Sequence, residues 1–349
     1  MVFQMISEES HSPPRNDLKN VRLTCKIFEK LATPFLLPRI ICAPLSSSLT
    51  TLTAVSRHPV FSRSVMEVVH VCNRYHFIKT LPEYKEALHR AKPFGKFEEP
   101  KSEEENLDLN TAFSQYSQYY NDQAAMENSG EVIGCLCSAL IRMPNIETIT
   151  VSPNFDCELD NELDSYHYSK YFLEPDPAYN EAVLLMARVL SLTGAKIREL
   201  DIESDDDDSG EGVNGALFRG MSHINLSHCC DAFRGLRNIT ITADENDANG
   251  WMTGNLAKIL SGATDLERLC VHCCNGTFHI STKYILSTTA WSRLTSLCYF
   301  RSRRFPRSPK KTPWHLEGYR PLLCRPYEWF LENPSRRDEI FSFPSAYFN

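Results

Sequence analysis

The chain contains little glycine, 14 among 349 residues, and it has no glycine-rich loop of the kind that cradles phosphate groups. It also lacks a nucleophile elbow, a His-Glu-x-x-His pair and the signature motifs of protein kinases. Its many carboxylates and histidines fall in no spacing that suits a recognised reaction. We therefore predict a protein that is not an enzyme and that uses no cofactor.

Long apolar runs and an excess of positive charge are absent as well. No apolar stretch approaches the roughly 18 residues that a membrane span needs. The N-terminus carries Glu8 and Glu9 and shows no apolar core of a secretory signal. The formal net charge is −7 at pH 7, whereas contacts to phosphates need a basic face. We expect a cytoplasmic or nuclear protein that partners neither a membrane nor a nucleic acid.

The 13 cysteines do not indicate a disulfide framework. Their number is odd, and they are scattered within apolar patterns, as Cys135, Cys137 and Cys298 illustrate. In a chain of this length without a secretion signal, such cysteines are typical of reduced, buried thiols.

The segment from Asp17 to Ile40 has the most informative pattern in the chain. Polar residues fill most of the gaps between the apolar residues from Leu18 to Ala32, and Pro34 closes this run. This pattern predicts two short amphipathic helices, the second of which ends at the proline. The apolar positions are Leu18, Val21, Leu23, Cys25, Ile27, Phe28, Leu31 and Ala32.

These residues resemble the second half of an F-box, the three-helix module that docks substrate receptors onto cullin ubiquitin ligases. Asp17 and Leu18 match the family's aspartate–leucine pair. The run from Leu23 to Phe28 matches its leucine-x-cysteine-basic-x-aromatic pattern. The segment 52–71 is similar to the one that follows the F-box in fungal F-box proteins with leucine-rich repeats.

The match is incomplete at its front. F-boxes usually open with leucine-proline and a first apolar helix, whereas here polar residues begin after Val2, Phe3, Met5 and Ile6. We therefore expect a module with a truncated first helix. The resemblance implies that an adaptor subunit of the Skp type buries an apolar stripe of this module, with a lysine at the rim. The implied contacts are Leu18, Leu23, Cys25, Lys26 and Phe28.

A second pattern, apolar-x-x-apolar-x-apolar, occurs five times. Each copy ends in an alternation of period two, which predicts a short strand. Helical patterns at 132–143, 181–192 and 256–260 precede several copies. The first positions of successive copies lie 51, 39, 30 and 28 residues apart, and leucine-rich repeats have a period of roughly 20–29 residues. The copies are Ile146/Ile149/Val151, Ile197/Leu200/Ile202, Leu236/Ile239/Ile241, Leu266/Leu269/Val271 and Leu294/Leu297/Tyr299.

A unit of strand plus helix cannot bury its own apolar face, but stacked copies can. We therefore predict an α/β fold in which short F-box-like helices precede an irregular leucine-rich-repeat solenoid, with a parallel sheet and outer helices. The alternative is a compact α/β domain with alternating helices and strands.

The predicted divisions follow from these patterns and from shifts in composition. We also predict a helix at 49–57, a strand at 64–71 and one helix around 109–120 within a solvated insertion. The divisions are the F-box-like module (1–40), a connecting helix and first repeat strand (41–91), the polar insertion (92–125), the solenoid (126–300) and a basic, proline- and aromatic-rich tail (301–349).

Three other clusters have weaker patterns. Zinc-type ligands surround Cys270, but this residue lies in a repeat strand, and the upstream Cys229 and Cys230 are adjacent rather than spaced as Cys-x-x-Cys. The run 205–208 is acidic without the spacing of a calcium loop, and it indicates a solvated rim loop that favours a basic partner. The basic run 301–311 matches a nuclear address. We predict no metal site.

The resemblance implies that the chain recruits substrates to a ubiquitin ligase, holding a protein target that the sequence does not identify. The alternative is a binding scaffold with no ligase role, whose N-terminal helices only cap the solenoid. An adaptor-binding face leaves Leu23 and Phe28 exposed in the free protein, whereas a cap buries them against the first repeat. A third hypothesis, a hydrolase or metal-dependent enzyme, requires a deep pocket with converging histidine, cysteine or acidic side chains.

Overall fold

Seven parallel strands form one sheet in the computed structural model, and their order in the sheet follows their order in the chain. The structure describes residues 15–91, 102–153, 176–203, 212–244, 247–273, 284 and 291–301. The sheet strands are β1 (Arg39–Cys42), β2 (Glu67–Val71), β4 (Thr148–Ser152), β6 (Glu199–Ile202), β7 (Asn238–Ala243), β8 (Arg268–Cys273) and β9 (Ser296–Arg301). Two short strands, β3 (Asn73–Arg74) and β5 (Asp176–Pro177), pair separately and antiparallel.

The α/β class and the parallel sheet that the sequence predicts are therefore confirmed, and each of the five apolar copies contributes one strand. The strand predicted at 64–71 is shorter than expected, because residues 61–64 form a helical turn and β2 begins at Glu67.

Alternate residues of each strand face the main hydrophobic core. Neighbouring strands are paired so that equivalent apolar positions of successive copies lie side by side. The first core row consists of Ile40, Val68, Ile149, Leu200, Ile239, Leu269 and Leu297. This register explains why the apolar spacing recurs: it keeps every copy in phase with the next.

Five of the helices that share the core with that face of the sheet form a row of their own. Each of the five helices contacts the next one in chain order, so this row of helices lies alongside the row of strands. They are α3 (Ser46–Arg57), α7 (Glu131–Arg142), α8 (Tyr179–Thr193), α10 (His223–Phe233) and α12 (Asn255–Ser261). The short helices α4 (Phe61–Ser64), α9 (Ala216–Arg219) and α11 (Ala248–Trp251) lie between them in the chain.

The same backbone hydrogen bonds recur where the strands begin. Two consecutive N–H groups, those of residues 66 and 67, donate to the carbonyl oxygen of Pro38, at 2.8 and 3.1 Å. The equivalent pairs in later copies donate to the carbonyls of Met66, Glu147, Arg198, Arg237 and Glu267, all at N···O distances of 2.7–3.1 Å. The repeated unit is therefore defined by backbone geometry as well as by apolar spacing.

The N-terminal residues form two short helices, α1 (Arg15–Thr24) and α2 (Lys26–Ala32), followed by a 3₁₀ turn at Thr33–Phe35 that contains Pro34. This confirms the helix pair expected from the apolar pattern. The predicted module boundary at residue 40 falls inside β1, because Arg39–Cys42 pairs in parallel with β2.

A separate apolar cluster holds the helices α5 (Leu81–Ala91) and α6 (Glu103–Ser129) together. The helix expected around 109–120 is longer than predicted, and one of its faces is buried rather than solvated. Leu109 and Tyr116 of α6 pack with Tyr84 and Leu88 of α5. Near the end of α6, Met126 joins the main core, so this helix connects the two clusters.

Candidate partner-binding face

A break between α1 and α2 sets the orientation of the N-terminal apolar side chains. Cys25 is extended, with φ −163° and ψ 162°, and it ends one helix and precedes the other. Leu23 therefore lies at the end of α1. On α2, Ile27 and Leu31 are four residues apart and Phe28 precedes Leu31 by three, so the three share one side of the helix.

These four side chains are exposed although they are large and apolar. The exposed fractions are 85% for Leu23, 69% for Ile27, 43% for Phe28 and 49% for Leu31. We call them the α1–α2 apolar face. An isolated exposed leucine needs no explanation, but several neighbouring ones indicate a surface that binds another molecule.

Of the five adaptor contacts implied by the resemblance, four lie at the surface and one does not. Leu23, Cys25, Lys26 and Phe28 are exposed. Leu18 is only 6% exposed, because it packs with Ala32 and Leu36 in a small cluster of its own. Leu18 therefore holds the two helices in place instead of forming the face. Ile27 and Leu31 were not among the implied contacts, although their spacing relative to Phe28 was visible in the sequence.

The cluster under α1 and α2 also connects them to the rest of the fold. Leu18, Ala32 and Leu36 form its buried part, and Phe61 of α4 packs against it. The helix pair is therefore packed on its inner side while its apolar face stays exposed.

The face of the sheet opposite the main core is mixed: it carries acidic Glu67, Glu199 and Asp201, basic Arg39 and Arg268, and apolar residues such as Val69. Glu67 accepts a hydrogen bond from Arg39 Nε at 2.7 Å and another from Thr150 Oγ1 at 2.9 Å. Burial raises the pKa of Asp201 to about 6, and repulsion from Glu203, Glu199 and Glu67 adds to that rise. This part of the sheet favours a partner that brings positive charge.

The remaining predicted clusters form no reactive centre in the described part of the chain. Cys270 and Cys273 lie on opposite faces of β8, and Cys229 is buried in α10. Among the described residues, no group of three or more His, Cys, Asp or Glu side chains is placed to hold a metal ion. The acidic run 205–208, the residues before α1 and the basic run after Arg301 lie outside the described residues.

The described part of the chain contains small apolar cavities. Two small cavities lie between the sheet and helices α8, α10 and α12, and apolar side chains line them, including Val183, Phe233 and Leu256. Neither brings histidine or acidic side chains together.

Comparison of the chain with protein-family models, with curated proteins and with solved structures found no match. Within the part of the chain that the structure describes, no helix has both the length and the apolar character to cross a membrane.

Proposed function

We propose that the chain is the substrate-recruiting subunit of an SCF-type cullin ubiquitin ligase. The α1–α2 apolar face binds a Skp-type adaptor subunit, and the repeats hold a protein target. The observation that carries the proposal is the exposure of Leu23 and Phe28, at 85% and 43%. Both lie at positions that match the F-box pattern, and an exposed apolar face needs a partner.

The energetics of the face are consistent with this role. Complete burial of one large apolar side chain contributes about 1.5–3 kcal/mol. A tenfold change in affinity corresponds to about 1.4 kcal/mol. Because Leu23 and Phe28 are 85% and 43% exposed, a partner can bury only those fractions, so loss of both would weaken binding by roughly 2–4 kcal/mol, about 20-fold or more. The exposed Lys26 lies between Leu23 and Phe28 in sequence and adds a positive charge at the rim of the apolar face.

For the remainder of the chain, we propose a leucine-rich-repeat solenoid. Support comes from the strictly sequential strand order, the matching row of helices and the recurring hydrogen bonds at the strand starts. Such a surface positions a bound target near the ubiquitin-charged enzyme. Its contribution is to raise effective concentration, so the chain performs no bond-making step itself.

One observation favours the alternative, a scaffold in which α1 and α2 only cap the repeats. Leu18, Ala32 and Leu36 are buried, and Phe61 of α4 packs against them. A cap explains this inner side but leaves the outer side unexplained, since a cap needs no large apolar residues facing solvent. The receptor function accounts for both sides.

A pull-down with purified adaptor subunit tests the proposal. The chain is expected to retain the adaptor, and a Leu23→Asp, Phe28→Asp double variant is expected to lose it. Ile224→Asp is the matched control, since Ile224 is an exposed apolar residue of α10, at 69%, remote in sequence from the face. Circular dichroism of each variant verifies that the fold is retained. An original chain that fails to bind, or a control that fails as completely as the double variant, would contradict the proposal.

A further inference from the structure

Two cysteines lie side by side on the face of the sheet opposite the main core. Cys270 of β8 and Cys298 of β9 are direct partners in the parallel register. Adjacent strands are about 4.7–4.9 Å apart, and a disulfide requires Cα atoms roughly 4.4–6.8 Å apart. Because the two residues are in register, their side chains also leave the sheet on the same side.

Polar groups surround the pair. The register places the Cys270 thiol beside that of Cys298. His272, two residues along β8 and thus on the same face, places its Nε2 atom 3.2 Å from the Cys270 sulfur. The hydroxyl of Ser296 lies 3.5 Å from the Cys298 sulfur. Both thiols are free.

We propose that Cys270 and Cys298 are a redox-modification site that forms a reversible disulfide when the chain meets a peroxide. This inference does not depend on the proposed ligase function. It rests on the register of two strands and on the placement of the histidine beside one of the two sulfurs.

The surroundings of the two thiols determine which of them reacts first with the peroxide. Cys270 is 1% exposed, whereas Cys298 is half-buried and more accessible to a small oxidant. Burial, and then the neighbouring Cys298, raise the pKa of Cys270 to about 12, so its thiol is protonated near neutral pH. A peroxide therefore reaches Cys298 first, and the buried Cys270 resolves the product.

The reaction balances in two steps. The Cys298 thiolate attacks one peroxide oxygen, the O–O bond breaks, and a sulfenic acid forms while the leaving hydroxide takes a proton to become water. Cys270 then transfers its proton to His272 and attacks the Cys298 sulfur. The S–O bond breaks, and the departing hydroxide receives the proton from His272. In total, two thiols and one peroxide give one disulfide and two waters.

The disulfide is also accessible to reductants. Cys298 is half-buried, so a small dithiol can reach the bond, and exposed disulfides belong to the labile, regulatory class. β9 is the last strand of the described sheet, so it has a described neighbour on one side alone and can shift to accommodate the bond.

Peptide mapping of the full chain tests the site. The reduced chain is treated with hydrogen peroxide in the presence of a chelator, free thiols are alkylated, and trypsin releases peptides 269–283 and 294–301. A linked pair that contains Cys270 and Cys298, and that a mild dithiol reverses, is expected. Cys270→Ser and Cys298→Ser remove it, whereas Cys273→Ala, on the opposite face of β8, retains it. Fragmentation that assigns the link to Cys273 or Cys274, or the absence of any link, would overturn the proposal.

The role of His272 has a separate readout. In His272→Gln, trapping of the Cys298 sulfenic acid with a dimedone-type reagent is expected to be unchanged. Disulfide formation is expected to slow by at least about tenfold, because the resolving thiol loses its proton acceptor. Equal rates in the variant and the original chain would exclude His272 from the second step.

Discussion

The buried histidine of β2 gives the most quantitative prediction. His70 is fully buried, and neither ring nitrogen has a hydrogen-bond partner among the described residues. Its register partners are Cys42 on β1 and Val151 on β4, so it occupies a core position where the next four strands carry valine or isoleucine. Burial is the main cause that lowers the pKa of His70 to about 3, and the positive charge of Arg74 is the second. The nearby backbone of Cys42 partly opposes this shift by raising the pKa.

Replacement of His70 by valine is therefore expected to stabilise the fold. An unsatisfied buried polar group costs about 1–3 kcal/mol, so we expect His70→Val to gain that amount at pH 7. The gain should grow on acidification. The histidine pKa is 6.5 in the unfolded chain and about 3 in the fold, so acid favours the unfolded state. The titration of His70 adds little to this cost above pH 6.5, and the added loss of stability increases as the pH falls toward 3.

The expected size follows from about 1.4 kcal/mol per pKa unit. Between pH 7 and pH 5, the original chain should lose about 2 kcal/mol more than His70→Val. Other titrating groups, including Asp201, are common to both chains and cancel in the difference. Urea unfolding at pH 7, 6 and 5 measures the effect, with the exposed His223→Gln as control. A variant less stable than the original at pH 7, or an equal pH slope in both chains, would refute the reasoning.

Three other predictions concern the sheet and the core. Asp201→Asn should stabilise the chain at pH 8 by about 1 kcal/mol after allowance for solvent screening. The raised pKa of Asp201 means that its favourable protonated form is lost as the pH rises through about 6, and unfolding at pH 8 and pH 4 measures the difference. Leu136→Ala, at a fully buried position, should cost about 2–5 kcal/mol in urea unfolding. Gly250→Ala would place a Cβ 1.8 Å from the Gly215 carbonyl oxygen and should cost at least about 1–3 kcal/mol. Gly134 lies inside α7, and a Cβ added there would have open space around it. Gly134→Ala should therefore raise the free energy of unfolding by about 0.5–1 kcal/mol. A similar loss of stability in both glycine variants would contradict the steric argument.

Much of the sheet was predictable because its core positions are apolar and evenly spaced. The pattern at Ile197, Leu200 and Ile202 is one of five, and in each case a parallel strand covers the last two positions. Periodicity records burial, so it identifies strands wherever every core position carries an apolar side chain.

The first two strands of the sheet, β1 and β2, were not counted among the copies of the apolar-x-x-apolar-x-apolar pattern, and the sequence shows why. Leu37, Ile40 and Cys42 have the same spacing, but they follow directly on the helical pattern and Pro38 interrupts them. In β2, His70 replaces the last apolar residue of the copy. That polar residue keeps β2 outside the five apolar copies, although a first repeat strand was predicted in this region.

The candidate site was predictable in part. Apolar spacing placed Leu18, Leu23 and Phe28 on short helices, but it gave no information on which of them faces inward. That depends on the break at Cys25 and on the packing of Leu36, which only the fold defines. The neighbourhood of Cys270 and Cys298 likewise depends on strand register, since the two residues are distant in sequence.

Hydrogen exchange of the chain with and without purified adaptor subunit tests the proposed receptor function most directly. The predicted result is slowed amide exchange in residues 21–32 at saturating adaptor, with unchanged exchange in α10 and α12. It would be absent in the Leu23→Asp, Phe28→Asp variant. Unchanged exchange throughout the chain, or protection confined to other helices, would contradict the proposal that the α1–α2 apolar face binds the adaptor.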